Sequence, residues 1–220
     1  GYAPGETAIT VERWPDYVHP EDLPRAIDSI QRHLSGAAPS HEVEIRCLSK
    51  SGAWRWMLSR GRIVSWDAHG LPLMMSGTHT DITERKLFEL ALKEAAVVFD
   101  SSYEGIMVVS PAGRITKVNA AFSRITGYRA DEAVGQSPKL LSSGQHDAAF
   151  YREMWDSVRQ HDFWRGEIWN RRRNGDCYPE QLSISVVRDE LGQVCHYVGI
   201  FSDISQLKAH EAELERIAHF

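Results

Sequence analysis

Hydrophobic and polar residues alternate in short segments that end at turn residues. The second half of the chain shows the complete series of predicted strands and helices. Residues 105–119 form two β-rich runs joined by Ser-Pro-Ala-Gly, which predicts a hairpin. Asn119 stands where a helix N-cap is expected, and apolar residues recur at helical spacing after it and again over 146–160. Three further β-rich runs follow Trp164, and the first two are joined at Asn174-Gly175, a strong hairpin signal. The predicted order is therefore two strands, helices and three strands.

The closing part of this pattern occurs twice, which indicates an internal repeat. Asp81-Ile82-Thr83 recurs as Asp203-Ile204-Ser205, and the turn Asp-Ala-His-Gly at 67–70 corresponds to Asp-Glu-Leu-Gly at 189–192. Two domains are consistent with 220 residues, since domains commonly hold roughly 100–150.

The first copy begins at the position equivalent to Gly127, so we expect it to lack the opening hairpin and first helix. It then contains one helix, over 21–34, and three strands, which leaves one sheet edge without a partner. We expect that edge to be covered either by residues that precede Gly1 in the parent protein or by a neighbouring chain.

Composition and charge exclude several classes of protein. Hydrophobic residues make up 42% and charged residues 25%, which is typical of globular domains. A formal net charge of -5 gives no basic field for nucleic acid, so none is expected as a partner. The three cysteines are odd in number and lack paired spacing, so we expect a reducing cytoplasm and no metal site. No apolar run is long enough to span a membrane, although an anchor upstream of Gly1 is left open.

Several motifs, in order and twice over, resemble the PAS family of sensory domains. In the second copy they are VNAAFSRITGY, FWRGEIWNRRRNGDCYPEQLSISVV and GIFSDIS, and in the first they are VHPED, EIRCLSKSGAWRWM and GTHTDITERK. The resemblance implies an α+β fold in which each domain has a five-stranded antiparallel sheet with helices on one face. We expect a PAS domain over 1–83 without its N-terminal hairpin, a helical linker over 84–99, a PAS domain over 100–205 and a signalling helix over 206–220.

The repeated ending is where each sheet passes its chain to a helix. Asp81 and Asp203 can accept hydrogen bonds from free donors at the helix start, as can the hydroxyls of Thr83 and Ser205. We therefore expect these four residues to transfer a signal from sheet to helix. In the last helix, Leu207 and Leu214 are separated by one heptad, as are His210 and Ile217. This stripe predicts a coiled coil that joins a homodimer, and the alternative is a surface helix with one core-facing stripe.

Candidate catalytic chemistry is not evident in the sequence. There is no Gly-x-Ser-x-Gly, no His-Glu-x-x-His and no phosphate-binding glycine loop, so no enzyme activity is expected of this segment. His33, His146 and His161 resemble the axial histidines of PAS haem sensors only in lying near helices, and capping or solvated roles are the ordinary interpretation. The cysteine that light-oxygen-voltage domains use for a flavin adduct is absent from GQSPKLLSSGQ.

A non-covalent flavin is the candidate cofactor of the second copy. FYREMW and FWRGEIWNRRRNG resemble the flavin-binding PAS domains of bacterial redox sensors such as the nitrogen-fixation regulator and the methane-monooxygenase sensor. By that resemblance Trp164 contacts FAD and Asn170 hydrogen-bonds its isoalloxazine ring. The alternative is an empty pocket, with Trp164 in the core and Asn170 as a polar group of a strand edge. Flavin is not expected in the first copy, where Arg46 replaces Trp169.

The resemblance also implies a regulatory function. We expect a tandem sensory module of a bacterial signal-transduction protein that responds to redox state, oxygen or a small ligand and controls a C-terminal effector domain in cis. ELERIAHF resembles the linker before GGDEF diguanylate cyclase domains, which are sometimes followed by an EAL phosphodiesterase, so cyclic-di-GMP turnover is the expected output. The alternatives are the sensor region of a histidine kinase and a dimerisation or spacer module with empty pockets.

Overall fold

The computed structural model describes Tyr2, Ala3, Glu6 and residues 13–218. The chain divides into two compact units, Gly1–Lys93 and Glu94–Phe220. The division falls within helix α2 (Thr83–Ser101), the segment expected to be a helical linker. Each unit has its own antiparallel sheet, one of three strands and one of five, which confirms the α+β fold.

The first unit is a three-stranded sheet with one helix packed on it. Its elements are a short 3-10 helix (Trp14–Tyr17), α1 (Leu23–Leu34), β1 (His41–Leu48), β2 (Trp54–Trp66) and β3 (Pro72–Asp81). The strand order is β1-β2-β3. A small core of Val18, Ala26, Val43 and Ile45 lies between α1 and β1. Helix α1 begins two residues later than the predicted Glu21. Its N-cap residue Asp22 does not cap the helix with its side chain, and its carboxylate instead accepts hydrogen bonds from Arg46 at 2.8 Å.

Strand β3 forms one edge of this sheet. It pairs with β2 on one side, and among the described residues no strand pairs with its other side. All ten of its residues are exposed. The first unit therefore has a three-stranded sheet among the described residues, against five strands in the second.

The second unit contains the complete succession of elements. They are β4 (Gly105–Val109), β5 (Ile115–Val118), α3 (Ala120–Thr126), α4 (Ala130–Ala133), a 3-10 helix (Pro138–Leu141), α5 (Ala148–His161), β6 (Phe163–Arg171), β7 (Cys177–Arg188), β8 (Val194–Asp203) and α6 (Ser205–Ala218). The strand order is β5-β4-β8-β7-β6, all neighbours antiparallel. The central strand β8 therefore lies between β4 of the opening hairpin and β7 of the β6–β7 hairpin.

Asn119 holds the opening hairpin against the helices. Its Oδ1 accepts the N–H of Phe122, which caps α3, and the N–H of Ile106 in β4, each at 2.9 Å. Its Nδ2 donates to the carbonyl oxygens of Phe99 and Glu104. A buried amide with all these partners is satisfied in full, so this one residue positions β4, α3 and the end of α2.

One hydrophobic cluster fills the space between the helices and the sheet of the second unit. Phe122 and Phe201 meet edge to face with ring centroids 6.0 Å apart. Helix α5 contributes Met154 and Val158, which face the buried strand residues Ile168 and Ile184. The helices thus cover one face of the sheet, as predicted.

Candidate functional site

A cavity of about 760 Å³ lies inside the second unit, between the sheet and the helices. Its lining comes from β4, α5, the segment 137–142 and the three strands β6, β7 and β8. Most lining side chains are apolar, among them Met107, Leu141, Met154, Ile168, Leu182 and Phe201. A cavity of this volume with a mostly apolar lining is typical of a site for a small organic ligand.

Two buried polar residues, Asn170 and Glu180, line this cavity. Asn170 pairs with Tyr178 across β6 and β7, and Glu180 lies two residues further along β7, so the three side chains share one face of the sheet. The amide nitrogen Nδ2 of Asn170 donates to Oε1 of Glu180 at 2.8 Å. The hydroxyl of Tyr178 donates to Oε2 at 2.7 Å. Both carboxylate oxygens therefore accept a hydrogen bond from a neutral donor.

The environment of Glu180 shifts its charge equilibrium. Burial raises the pKa of Glu180 to about 7, against the opposing effect of the hydrogen bonds from Tyr178 and Asn170. Burial, together with the neighbouring Glu180 carboxylate, also raises the pKa of Tyr178, which keeps its hydroxyl protonated. Glu180 is therefore a cavity carboxyl that changes charge near neutral pH, a property common at functional sites.

Arg172 connects this group to the end of the sheet. Its guanidinium lies 4.0 Å from the centroid of the Tyr178 ring, a cation–π contact. It also donates to the carbonyl oxygen of Ile125 and forms an ion pair with Asp203. The side chains from Asn170 to Asp203 are thus in continuous contact.

Asp203 is the last residue of β8, and it bonds directly to the start of α6. Its Oδ1 accepts the backbone N–H of Ser205 at 2.8 Å. Although burial opposes the shift, the hydrogen bonds from Ser205 and Arg172 lower the pKa of Asp203, so this residue is charged at neutral pH. In the first unit, Oδ1 of Asp81 accepts the N–H of Thr83 at 2.9 Å in the same way. There the Thr83 hydroxyl also accepts the N–H of Trp56 at 3.0 Å, which ties the helix start to β2.

The structure places Trp164 differently from Asn170. Trp164 is on the same face of β6 but is not among the residues that line the cavity. Its ring lies over Gly166, where a Cβ would be 2.6 Å from the ring, and it meets Phe150 edge to face. Trp164 is thus part of the packing around the core, and Asn170 is the member of the predicted pair that faces the cavity.

Three contributors to the site, Arg172, Tyr178 and Glu180, were not predicted from the sequence. A signal for two of them exists in YPEQLSISVV, where Tyr178 and Glu180 alternate in phase with Leu182 and Ile184. That spacing places a carboxyl on the inward face of a strand. Arg172 lies in the turn after β6, where nothing in the local pattern indicates its contacts.

The candidate haem histidines make ordinary contacts. His146 accepts the N–H of Trp169 at 2.8 Å and stacks on Phe150 with ring centroids 4.1 Å apart. His33 accepts the N–H of Ile63 through Nε2 at 2.9 Å, so its Nδ1 donates to the carbonyl of Ala38. His161 is the last residue of α5. Within residues 13–218 and the few described before them, no cluster of three or more potential metal ligands occurs.

The proposed dimer stripe of α6 is solvent-exposed in the single chain. The exposed fractions are 55% for Leu207, 67% for Leu214 and 62% for Ile217. None of the described helices is both long enough and apolar enough to cross a membrane.

Comparison with known proteins places both units in one family. Residues 104–206 match the profile of the PAS domain, and residues 1–79 match that of the PAS fold. A nitrogen fixation regulatory protein of Klebsiella pneumoniae is 36% identical over 100 residues, which cover 46% of this chain and 20% of that protein. The sensor protein FixL of Bradyrhizobium diazoefficiens is 25% identical over 209 residues, 91% of this chain and 40% of that protein. The chain therefore spans less than half the length of these relatives.

A solved structure shows the same fold. The crystal structure of a PAS domain from Colwellia psychrerythraea is 25% identical with a TM-score of 0.50, and the match covers 53% of this chain and 98% of that domain.

Proposed function

Because this chain belongs to the PAS family and carries two copies of the domain, we propose that it is the sensory region of a bacterial signalling protein in which the second copy binds FAD. Two of its relatives are a nitrogen fixation regulatory protein and a sensor protein, both of bacteria. The observation that carries the proposal is the cavity of about 760 Å³ with Asn170 and Glu180 in its lining. FAD supplies a redox-active ring when bound, and the protein's part is to hold that ring and respond to it.

The residues of the cavity fit a planar, partly polar ring. Apolar side chains from β4, β8 and α5 exclude water from most of the surface. Asn170 commits its Nδ2 to Glu180, so its carbonyl oxygen Oδ1 is the atom left to accept a hydrogen bond from an occupant. Trp164 supports the site indirectly by packing on Phe150, next to the cavity-lining residues of α5.

The response passes to α6 and from there to an effector domain in cis. Asp203 and Ser205, like Asp81 and Thr83, join the last strand of a domain to the next helix. The stripe of Leu207, Leu214 and Ile217 pairs with the same stripe of a second copy in a parallel coiled coil. The resemblance of ELERIAHF to linkers before diguanylate cyclase domains favours cyclic-di-GMP turnover as the output, with a histidine kinase as the competing effector.

Absorbance of the 220-residue chain after incubation with FAD and removal of free cofactor tests the binding proposal. We expect flavin bands at one equivalent per chain. Asn170→Ala is expected to alter the response to reduction, and Trp164→Ala to weaken retention by loosening the packing around α5. Trp66→Ala, on an exposed residue of the first unit, serves as the matched control and is expected to retain the cofactor. A chain that stays colourless would leave the rival function, a ligand-free dimerisation module.

A further inference from the structure

Glu180 is an unusual group to find in a ligand cavity. It is 1% exposed and lines the apolar cavity, yet both of its hydrogen-bond partners, Asn170 and Tyr178, are neutral. A buried carboxylate that is not paired with a cation is costly, and a group in that position is readily neutralised by a proton. Its charge is therefore sensitive to whatever occupies the cavity beside it.

The charged neighbours of Glu180 lie on every side of the site. Arg172, beyond the Tyr178 ring, favours the carboxylate, whereas Asp203 of β8 disfavours it. On the helical side the cavity is also lined by Lys139, Arg152 and Arg159, and its lining includes the phenols of Tyr151 and Tyr197. Arg172 is held between two carboxyl groups, with a direct ion pair to Asp203 and an indirect contact to Glu180 through the Tyr178 ring.

The charge of Glu180 also controls the orientation of Asn170. A carboxylate can only accept, so it requires the NH2 end of the Asn170 amide and leaves Oδ1 for the occupant. A protonated Glu180 can instead donate to Oδ1, and the NH2 end is then free to face the cavity. The two protonation states thus present opposite hydrogen-bonding groups to a ligand.

We propose that Glu180 is the proton-binding group that recognises the occupant of the second PAS domain, and that its charge is read at the start of α6 through Tyr178, Arg172 and Asp203. An occupant that offers an N–H or O–H donor stabilises the carboxylate with the Asn170 oxygen facing it. An occupant that offers an acceptor or a negative charge stabilises the neutral acid with the amide reversed. This inference rests on the proposed ligand-binding function and adds its chemistry, since it assigns the discriminating proton to a residue of the protein.

The route to α6 follows from the shared guanidinium. When Glu180 loses its charge, the attraction of Arg172 towards Tyr178 and Glu180 weakens, and its ion pair with Asp203 becomes its main electrostatic contact. Asp203 holds the backbone N–H of Ser205, so the polarisation of that hydrogen bond changes with the charge of Glu180.

A titration followed by nuclear magnetic resonance tests both parts in the ligand-free 220-residue chain. With carbon-13 at glutamate carboxyls and nitrogen-15 at amides, we expect one carboxyl to titrate with a midpoint near 7, well above the other glutamates. The Asn170 side-chain amide and the Ser205 backbone amide are expected to shift with the same midpoint. In Glu180→Gln the carboxyl signal and both amide transitions are expected to disappear, whereas Glu190→Gln in the exposed β7–β8 turn leaves them unchanged.

Two further measurements separate this inference from the FAD proposal. Tyr178→Phe keeps the ring beneath Arg172 but removes the hydroxyl hydrogen bond, so the midpoint of Glu180 is expected to rise. Saturating FAD, whose ring bears an N–H, is expected to lower that midpoint by about one pH unit, a tenfold change in proton affinity. If FAD does not bind, only the choice of ligand fails, and the ligand-free titration still decides. The inference is overturned if Glu180 is ionised at every pH of the titration, or if the chemical shift of the Ser205 amide does not change as Glu180 titrates.

Discussion

Arg172 and Asp203 form an ion pair at the point where the last strand of the second domain passes into α6. The side chains are 23% and 29% exposed, so solvent screens the pair only in part. Asp203 therefore has two tasks at once: it holds the first amide of the helix and it fixes a guanidinium that lies on the face of Tyr178. The junction is a contact between the cavity side of the sheet and the helix, as well as a helix cap.

Replacing Asp203 with alanine is expected to disconnect α6 without unfolding the domain. Loss of the bond to Ser205 costs about 1 kcal/mol, which is small beside an ordinary domain stability of about 5–15 kcal/mol. We expect hydrogen exchange to become faster in the first turn of α6 while the sheet keeps its protection. In a signalling protein with the proposed effector domain, we expect ligand binding to persist and the output or its response to change.

Asp203→Asn is the matched variant for this prediction. It keeps an oxygen for the Ser205 amide and removes the charge that holds Arg172. If both variants respond to the signal as the wild type does, Asp203 is an ordinary cap and the transfer route lies elsewhere.

Gly105 in β4 leaves no room for a side chain, because a Cβ there would lie 2.4 Å from the tip of the Phe201 ring. Phe201 is 1% exposed and cannot move away without disturbing the core. We expect Gly105→Ala to destabilise the second unit by about 1–3 kcal/mol. Gly199→Ala is the control, since its Cβ would meet Met107 at an ordinary 3.6 Å, and chemical denaturation of the two variants should differ clearly.

The raised pKa of Glu180 predicts a pH dependence of stability. Between the unfolded value near 4.5 and the folded value of about 7, the folded state binds the proton more tightly than the unfolded state does. The contribution of Glu180 to the free energy of unfolding is therefore fully present at low pH, and it is lost as the pH rises through that window. At about 1.4 kcal/mol for each pKa unit, the loss is on the order of 3 kcal/mol.

Glu180→Gln isolates this effect from the other titrating groups. Protection of the β7 amides against hydrogen exchange, corrected for the intrinsic rate, should fall from pH 5 to pH 8 in the wild type relative to the variant. Parallel curves for the two proteins would show that Glu180 is ionised in the folded state across the whole range.

Burial of the α6 stripe in a dimer is expected to depend on Leu214. A leucine covered in full contributes about 1.5–3 kcal/mol, and Leu214 is 67% exposed in the single chain. Leu214→Glu should lower the fraction of dimer measured by analytical ultracentrifugation. Glu213→Gln, one position away and outside the stripe, should leave it unchanged. Equal dimer fractions for all three proteins would exclude this stripe as the interface.

Local signals were sufficient for the order of elements in the second unit. The Asn174-Gly175 turn gives Gly175 a φ of +97°, which glycine adopts without strain, and Asn119 caps α3 as its position before an apolar run suggests. Each of these features depends on residues close together in the chain. Such signals also recur in the first copy, which explains why the repeat was visible.

The polar side of the cavity was harder to predict because it depends on strand register. Asn170 and Glu180 meet only because β6 and β7 pair with Asn170 opposite Tyr178. A glutamate in a strand is ordinarily taken as a solvent-facing residue, and its burial appears only once the sheet and α5 enclose it. Trp164 shows a different difficulty. The sequence pattern predicts an aromatic contact to a cofactor, but whether the ring lines the cavity or packs over Gly166 depends on the tertiary structure.

The outer side of β3 has a practical consequence for handling this protein. No strand among the described residues pairs with that side, and exposed apolar side chains lie along it, including Leu73, Met74 and Met75. Such an edge favours the addition of a β-strand from another molecule. Association by this route has no fixed number of subunits, so larger species form as the concentration rises, whereas a two-stranded coiled coil stops at the dimer. Met74→Lys would place a charge on that edge and suppress aggregation while leaving α6 unchanged, so the stoichiometry of the proposed α6 dimer is best measured in that variant.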